Sequence, residues 1–128
     1  MSGEKILVID DTKVICTGLR AVLEHEGYSV DTALSGEAGL EKIRDVKYDV
    51  IFVDLVMPGI DGIETCRAAK EINPETEIIL MTGHIDIGLP EKEKAFIEAG
   101  GKTYGLYKPF EVEQILEAAR KAILNKSG

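Results

Sequence analysis

DVIFV, residues 49–53, sets four apolar side chains in an unbroken row. A strand with one face in water alternates apolar and polar residues, so a continuous run fits a strand covered on both faces. EIILM at 77–81 repeats the pattern. Outward from these two, strand-length segments recur at 5–9 (KILVI), 28–33 (YSVDTA) and 103–107 (TYGLY). Helical patterns fill the gaps. In 13–26, Ile15, Leu19, Val22 and Leu23 recur at helical spacing before Gly27. Stretch 36–46 follows Ser35, a favourable N-cap, and places Ala38, Leu40 and Ile43 together. Stretch 62–72 follows Asp61, with Glu64 placed to reach back, and ends at Asn73-Pro74. Stretch 90–99 begins with Pro90 and stops at Gly100-Gly101, and 111–125 aligns Val112, Ile115, Leu116, Ala119 and Ile123. Five β-α units in succession predict an α/β fold, a doubly wound parallel sheet with right-handed crossovers.

The 128 residues suit one domain with a sizeable core. No apolar run is long enough for a transmembrane helix, and the N-terminus lacks the layout of a signal peptide, so the expected location is cytoplasmic, with no membrane partner. The net charge of −8 argues against direct nucleic-acid binding. Cys16 and Cys66 lie far apart inside helical patterns, which predicts two buried thiols rather than a disulfide or a zinc site.

Ligands of an open parallel α/β sheet bind beyond the carboxyl ends of the strands. At those positions the sequence carries Asp10 and Asp11 after the first strand, Asp54 after the third, Thr82 after the fourth, and Lys108-Pro109 after the fifth. Each has an ordinary explanation taken singly: Asp11 as a helix cap, Asp54 and Thr82 as turn residues, Lys108 as a surface lysine. Together they are three acids, a hydroxyl and a lysine at one edge of one sheet. Two carboxylates about 4 Å apart repel by roughly 4 kcal/mol at an effective dielectric near 20. Three converging acids therefore call for a cation beyond Lys108, and an all-oxygen site favours Mg2+ or Mn2+.

With these residues in place, the chain resembles the receiver domain of bacterial two-component response regulators, chemotaxis-regulator-like, over residues 4 to about 124. The resemblance is carried by VIDD (Asp10, Asp11), VDLVMPGIDG (Asp54, Met57-Pro58-Gly59, Asp61-Gly62), LMTG (Thr82, Gly83) and KPF (Lys108, Pro109, Phe110), in that order. It implies a flavodoxin-like (βα)5 sheet of strand order 2-1-3-4-5. It implies that Asp54 is the phosphoacceptor for a phosphoryl group carried on a histidine of a sensor kinase or phosphotransfer protein. Asp11, Asp54 and the Val56 backbone carbonyl would ligate Mg2+, with Asp10 joining directly or through water. Lys108 and Thr82 would contact phosphoryl oxygens, backbone amides near Val56 and Gly83 would complete the cradle, and Lys108-Pro109 would be a cis peptide. The only catalysis implied is the chain's own phosphorylation and dephosphorylation.

One position departs from the family's pattern. Receivers usually carry a tyrosine or phenylalanine three residues before the lysine, and it swings in behind the threonine; here that residue is Gly105, between Tyr104 and, two residues on, Tyr107. A bulge that lets Tyr104 serve, substitution by Tyr107, and loss of the aromatic element all stand as readings. We expect Thr82 coupling to survive without an inward-swinging aromatic. In receivers, side chains at the positions of Val56 and His84, two residues after Asp54 and Thr82, flank the path of attacking water. Apolar Val56 predicts a long-lived phosphoryl group, while for His84 both orienting that water and sitting in a solvated loop stand as readings.

Other classes fit less well. A haloacid-dehalogenase-like phosphatase needs DxD, which neither Asp54-Leu55-Val56 nor Asp10-Asp11-Thr12 supplies. A flavodoxin-like cofactor carrier wants an anion-binding loop after the first strand, where DDTK would repel phosphate. A receiver-like module without phosphorylation is disfavoured because all five site residues are present. No DNA-binding or catalytic segment follows residue 125. The expectation is therefore a single receiver domain, 1–128 with core 4–124, acting on a downstream protein or on an output domain of a longer chain. An activation-dependent dimer is left open.

Overall fold

The computed structural model describes residues 3–83 and 89–127. Five strands alternate with five helices: β1 (Lys5–Ile9), α1 (Lys13–His25), β2 (Ser29–Ala33), α2 (Gly36–Asp45), β3 (Val50–Asp54), α3 (Gly62–Ile72), β4 (Glu77–Thr82), α4 (Leu89–Glu98), β5 (Lys102–Tyr107) and α5 (Val112–Ser127). The strands form one parallel sheet in the order β2-β1-β3-β4-β5. The fold is the expected flavodoxin-like one.

The unbroken apolar runs have the expected cause. Alternate residues of each central strand enter opposite clusters: Ile6, Val8, Val50, Phe52, Ile79 and Met81 pack with α1 and α5. Leu7, Ile9, Ile51, Val53, Ile78 and Leu80 pack with α2, α3 and α4. A parallel sheet with helices on both faces leaves these strands no solvated side.

Helix starts follow the sequence signals. The Ser35 hydroxyl accepts from the Ala38 N–H at 3.0 Å, and Asp61 Oδ1 accepts from the Glu64 N–H at 2.9 Å. Residue Thr12 occupies the cap position of α1 without a side-chain bond, so Asp11 is not used as a cap. One expected core position differs: Val112 at the start of α5 is 54% exposed, whereas Ile115, Leu116 and Ala119 are buried. Apolar periodicity marks a helix face but does not by itself imply that every turn of that face is covered. Both cysteines are free and buried, and burial pushes each thiol up to about 11. Among the described residues, no helix is long and apolar enough to cross a membrane.

Candidate functional site: an acidic cluster at the strand ends

Strand register assembles the site. Ile9 pairs with Val53, which brings the next residues, Asp10 and Asp54, side by side across the β1/β3 junction. This is where the chain order reverses direction in the sheet, the switch point at which such folds open a crevice. Asp54 in turn pairs with Met81, one residue before Thr82, and Thr82 pairs with Tyr107, one residue before Lys108. Backbone bonds lock these ends: the Asp10 N–H donates to the Ala33 carbonyl at 3.1 Å, Leu55 N–H to Met81 at 3.0 Å, and Lys108 N–H to Thr82 at 2.8 Å.

Carboxylate oxygens of Asp10, Asp11 and Asp54 all lie within 4.8 Å of one another. Asp10 is wholly buried, Asp54 is 6% exposed, and Asp11 faces solvent. The Lys108 Nζ stands 2.7 Å from Asp10 Oδ2 and 3.4 Å from Asp54 Oδ2. Asp10 Oδ1 accepts from the Thr12 N–H at 2.8 Å. Its Oδ2 is buried and is met by the Lys108 ammonium in that 2.7 Å ion pair.

The electrostatics follow from this crowding. Burial, then the neighbouring Asp10 charge, pushes the Asp54 carboxyl up to about 6 against the opposing pull of Lys108. Burial would lower the Lys108 ammonium, but its pairing with Asp10 and Asp54 outweighs that and holds it above its ordinary value. Three carboxylates against one ammonium leave an excess of negative charge. The donors are hard oxygens. Such a set fits a magnesium-like divalent cation.

Of the three acids, Asp54 lines a cavity of about 400 Å³, bordered also by Val56, Thr82, Gly83, Lys108 and Leu89. Thr82 is buried, whereas Val56 is 63% exposed at the mouth. The Lys108–Pro109 peptide is cis. His84 lies outside the described residues.

The three positions of the aromatic question separate. Between Ile79↔Lys102 and Met81↔Leu106 the β4/β5 register shifts, so two steps along β4 match four along β5. Gly105 sits in this bulge with φ +71°, a left-handed backbone that a side chain strains to adopt, and a Cβ there would meet nothing within 4 Å. Tyr104 packs on the α1/α5 cluster, and its hydroxyl accepts from Asn125 Nδ2 at 2.9 Å. Tyr107 packs on the opposite cluster and donates to Glu93 Oε2 at 2.9 Å. The structure therefore brings Asp10, Asp11, Asp54, Thr82 and Lys108 to one pocket and sends the two tyrosines to opposite faces of the sheet.

Thr12 escaped the sequence reading. The signal was present, because an Asp two residues before an amide at a strand-to-helix turn is the spacing of an Asx turn. Leu89 was not legible from local pattern, because it reaches the cavity only through the packing of α4.

The class that this fold and residue set point to is the doubly wound α/β domain with an acidic cluster at its switch point. The family described as "Response regulator receiver domain" matches residues 6–120, and this chain belongs to it. The response regulator ArlR of Staphylococcus saprophyticus is 35% identical over 120 residues, which is 91% of this chain and 50% of that protein. The chain thus spans about half the length of the curated relatives it matches. Among solved structures, a CheY-like response regulator receiver domain protein from Methanospirillum hungatei superposes with a TM-score of 0.90 at 27% identity, covering 98% of each chain. A two-component response regulator from Clostridium difficile gives a TM-score of 0.84 at 34% identity, again over 98% of each. The chain is a receiver domain of the two-component response-regulator family, a family of signalling switches.

Proposed function

We propose that Asp54 is the phosphoacceptor of a Mg2+-dependent switch, supplied by a sensor histidine kinase or a phosphotransfer protein. One observation carries the reading most directly. A nearly buried carboxylate at the switch point stands beside a lysine ammonium, among two further acids, and opens on a cavity with ample room for a phosphoryl group. An Asp54 oxygen attacks phosphorus, the bond from phosphorus to the donor imidazole nitrogen breaks, and the imidazole leaves with that electron pair. With its pKa at about 6, Asp54 is mostly ionised at neutral pH, as a nucleophile must be.

Asp10, Asp11, Asp54 and the Val56 carbonyl would hold the magnesium, with manganese of the same hard-oxygen class. When bound, the ion neutralises charge spread over a phosphoryl group in transit. Lys108 pairs with one phosphoryl oxygen and the Thr82 hydroxyl bonds another. Backbone amides near Val56 and Gly83 complete the cradle. Residues 4–124 act as one receiver unit that reports to a downstream protein or an output domain in the cytoplasm.

The phosphoryl group brings about −1.5 to −2 charges and draws Thr82 towards it, biasing the β4 end and α4. Inverting such an equilibrium from 1:99 to 99:1 takes about 5.5 kcal/mol of preference. With Gly105 in the bulge, this coupling runs without an inward-swinging aromatic, and the Tyr107–Glu93 bond links β5 to α4 instead. A structure of the activated form with Tyr104 or Tyr107 buried behind Thr82 would count against this.

The test is magnesium titration with acetyl phosphate, read by intact mass and acid-labile label. One phosphoryl group per chain is expected, with none on Asp54→Asn. Unlabelled wild-type protein, or labelling at a residue other than Asp54, would refute the assignment.

A further inference from the structure

The segment that carries Val56 is pinned from outside the acidic cluster. It runs between β3 and α3, and at its far end the Gly62 N–H donates to the Leu55 carbonyl at 2.9 Å. A Cβ at Gly62 would stand 2.5 Å from the Asp54 carbonyl oxygen, so main chain packs on main chain there. The bend that follows Val56, Met57-Pro58-Gly59-Ile60, buries Met57 in the core, and Gly59 holds φ +80°.

Glu37, in the first turn of α2, reaches this bend. Its Oε2 accepts from the Ile60 N–H at 3.2 Å. A Cβ on Gly59 would lie 2.5 Å from that same oxygen and 3.0 Å from Oε1, so the carboxylate rests against bare glycine backbone. Neighbouring Gly36 packs without a side chain against Ile60 and Thr65, which brings α2 close enough for the contact. Among the described residues, the carboxylates grouped to hold a cation are Asp10, Asp11 and Asp54; Glu37 is not one of them.

We propose that Glu37 is a positioning residue for the cation site: by holding the 57–60 bend it presets the backbone of Val56, whose carbonyl then meets the ion without further ordering. The inference rests on the metal and phosphoacceptor reading above. Its physical basis is preorganisation, since a ligand that must order a loop on arrival loses that part of its affinity. Glu37 touches none of the residues that would hold the ion and acts through the main chain between Ile60 and Val56.

The experiment compares the wild type, Glu37→Ala, Glu37→Gln and, as a charge control, the exposed Glu41→Ala on the same helix. Magnesium Kd is measured by calorimetry, and acetyl phosphate labelling is followed against magnesium concentration. Alanine removes the acceptor and the charge; glutamine removes the charge but keeps a carbonyl oxygen for the Ile60 amide. We expect Glu37→Ala to raise the magnesium Kd about tenfold, the low end for outer-shell partners, with labelling restored at saturating magnesium. Glu37→Gln and Glu41→Ala should stay within about twofold of wild type on the same scale. Equal weakening in the two Glu37 variants would reduce the effect to remote charge and overturn the inference, as would an unchanged Kd in Glu37→Ala. Wild-type protein that neither binds magnesium nor labels would sink the phosphoacceptor reading itself.

Discussion

Replacing Asp54 by asparagine should stabilise the metal-free protein, although it removes the reactive group. The Asp54 carboxyl titrates at about 6 in the fold against an ordinary 3.8, chiefly because it is buried and secondly because Asp10 is adjacent. Between these values the native state holds a proton that the unfolded chain has lost. Stability from this group is therefore fully present below about pH 4 and is lost as pH rises through about 6. Above pH 7 the cost of ionising Asp54 in the fold is about 3 kcal/mol. Repulsion from the adjacent carboxylates, about 3 kcal/mol for unit charges roughly 5 Å apart at an effective dielectric of 20, adds to burial and is opposed by Lys108. An asparagine at this position carries no such charge. In EDTA at pH 7.5, Asp54→Asn should gain up to about 3 kcal/mol, a rise in Tm of roughly 10 °C for a domain of this size. The gap should close as the buffer is taken to pH 4, and magnesium should narrow it by stabilising the wild type alone. The chain has no tryptophan, so far-UV circular dichroism melts across pH 4–8 are the natural assay. An Asp54→Asn protein no more stable than wild type at pH 7.5, or a gap that widens on acidification, would refute the reasoning.

Removing the counter-cation should act the other way. Lys108→Ala leaves Asp10 and Asp54 facing each other without it, and should cost about 3 kcal/mol in EDTA by urea unfolding, with a smaller loss in an Asp10→Asn background. Gly101→Ala would place a Cβ 2.1–2.7 Å from the buried Phe96 ring and should cost about 1–3 kcal/mol through overpacking; an unchanged urea midpoint would show that α4 yields more easily than its contacts imply. Tyr107→Phe breaks the bond to Glu93 and should speed amide exchange in α4 while lowering global stability by no more than about 1 kcal/mol. Because exposed apolar Val56 offers attacking water no hydrogen bond, Val56→Asn should hasten phosphate loss severalfold, measured by decay of labelled protein.

The order of elements was legible from sequence alone, because a parallel sheet covered on both faces leaves continuous apolar runs and capped helices that local pattern records. The five strand-end residues were legible too, since strand ends fall where apolar runs stop and a topology rule says which end matters. What only the tertiary structure decided lies in contacts between segments distant in the chain. Tyr104 and Tyr107 were left open because alternation alone does not reveal a bulge; the β4/β5 register shift around Gly105 depends on how the two strands pair. Val112 matched the apolar stripe of its helix yet ends up exposed, because periodicity gives a face and not the length over which another layer covers it. Nothing in the local sequence singles out Glu37, and its bond to the Ile60 N–H, 23 residues away, exists only because α2 and α3 pack on the same side of the sheet. Local sequence encodes torsion preference and burial periodicity, whereas charge crowding and loop support arise when the folded sheet brings separate strand ends together.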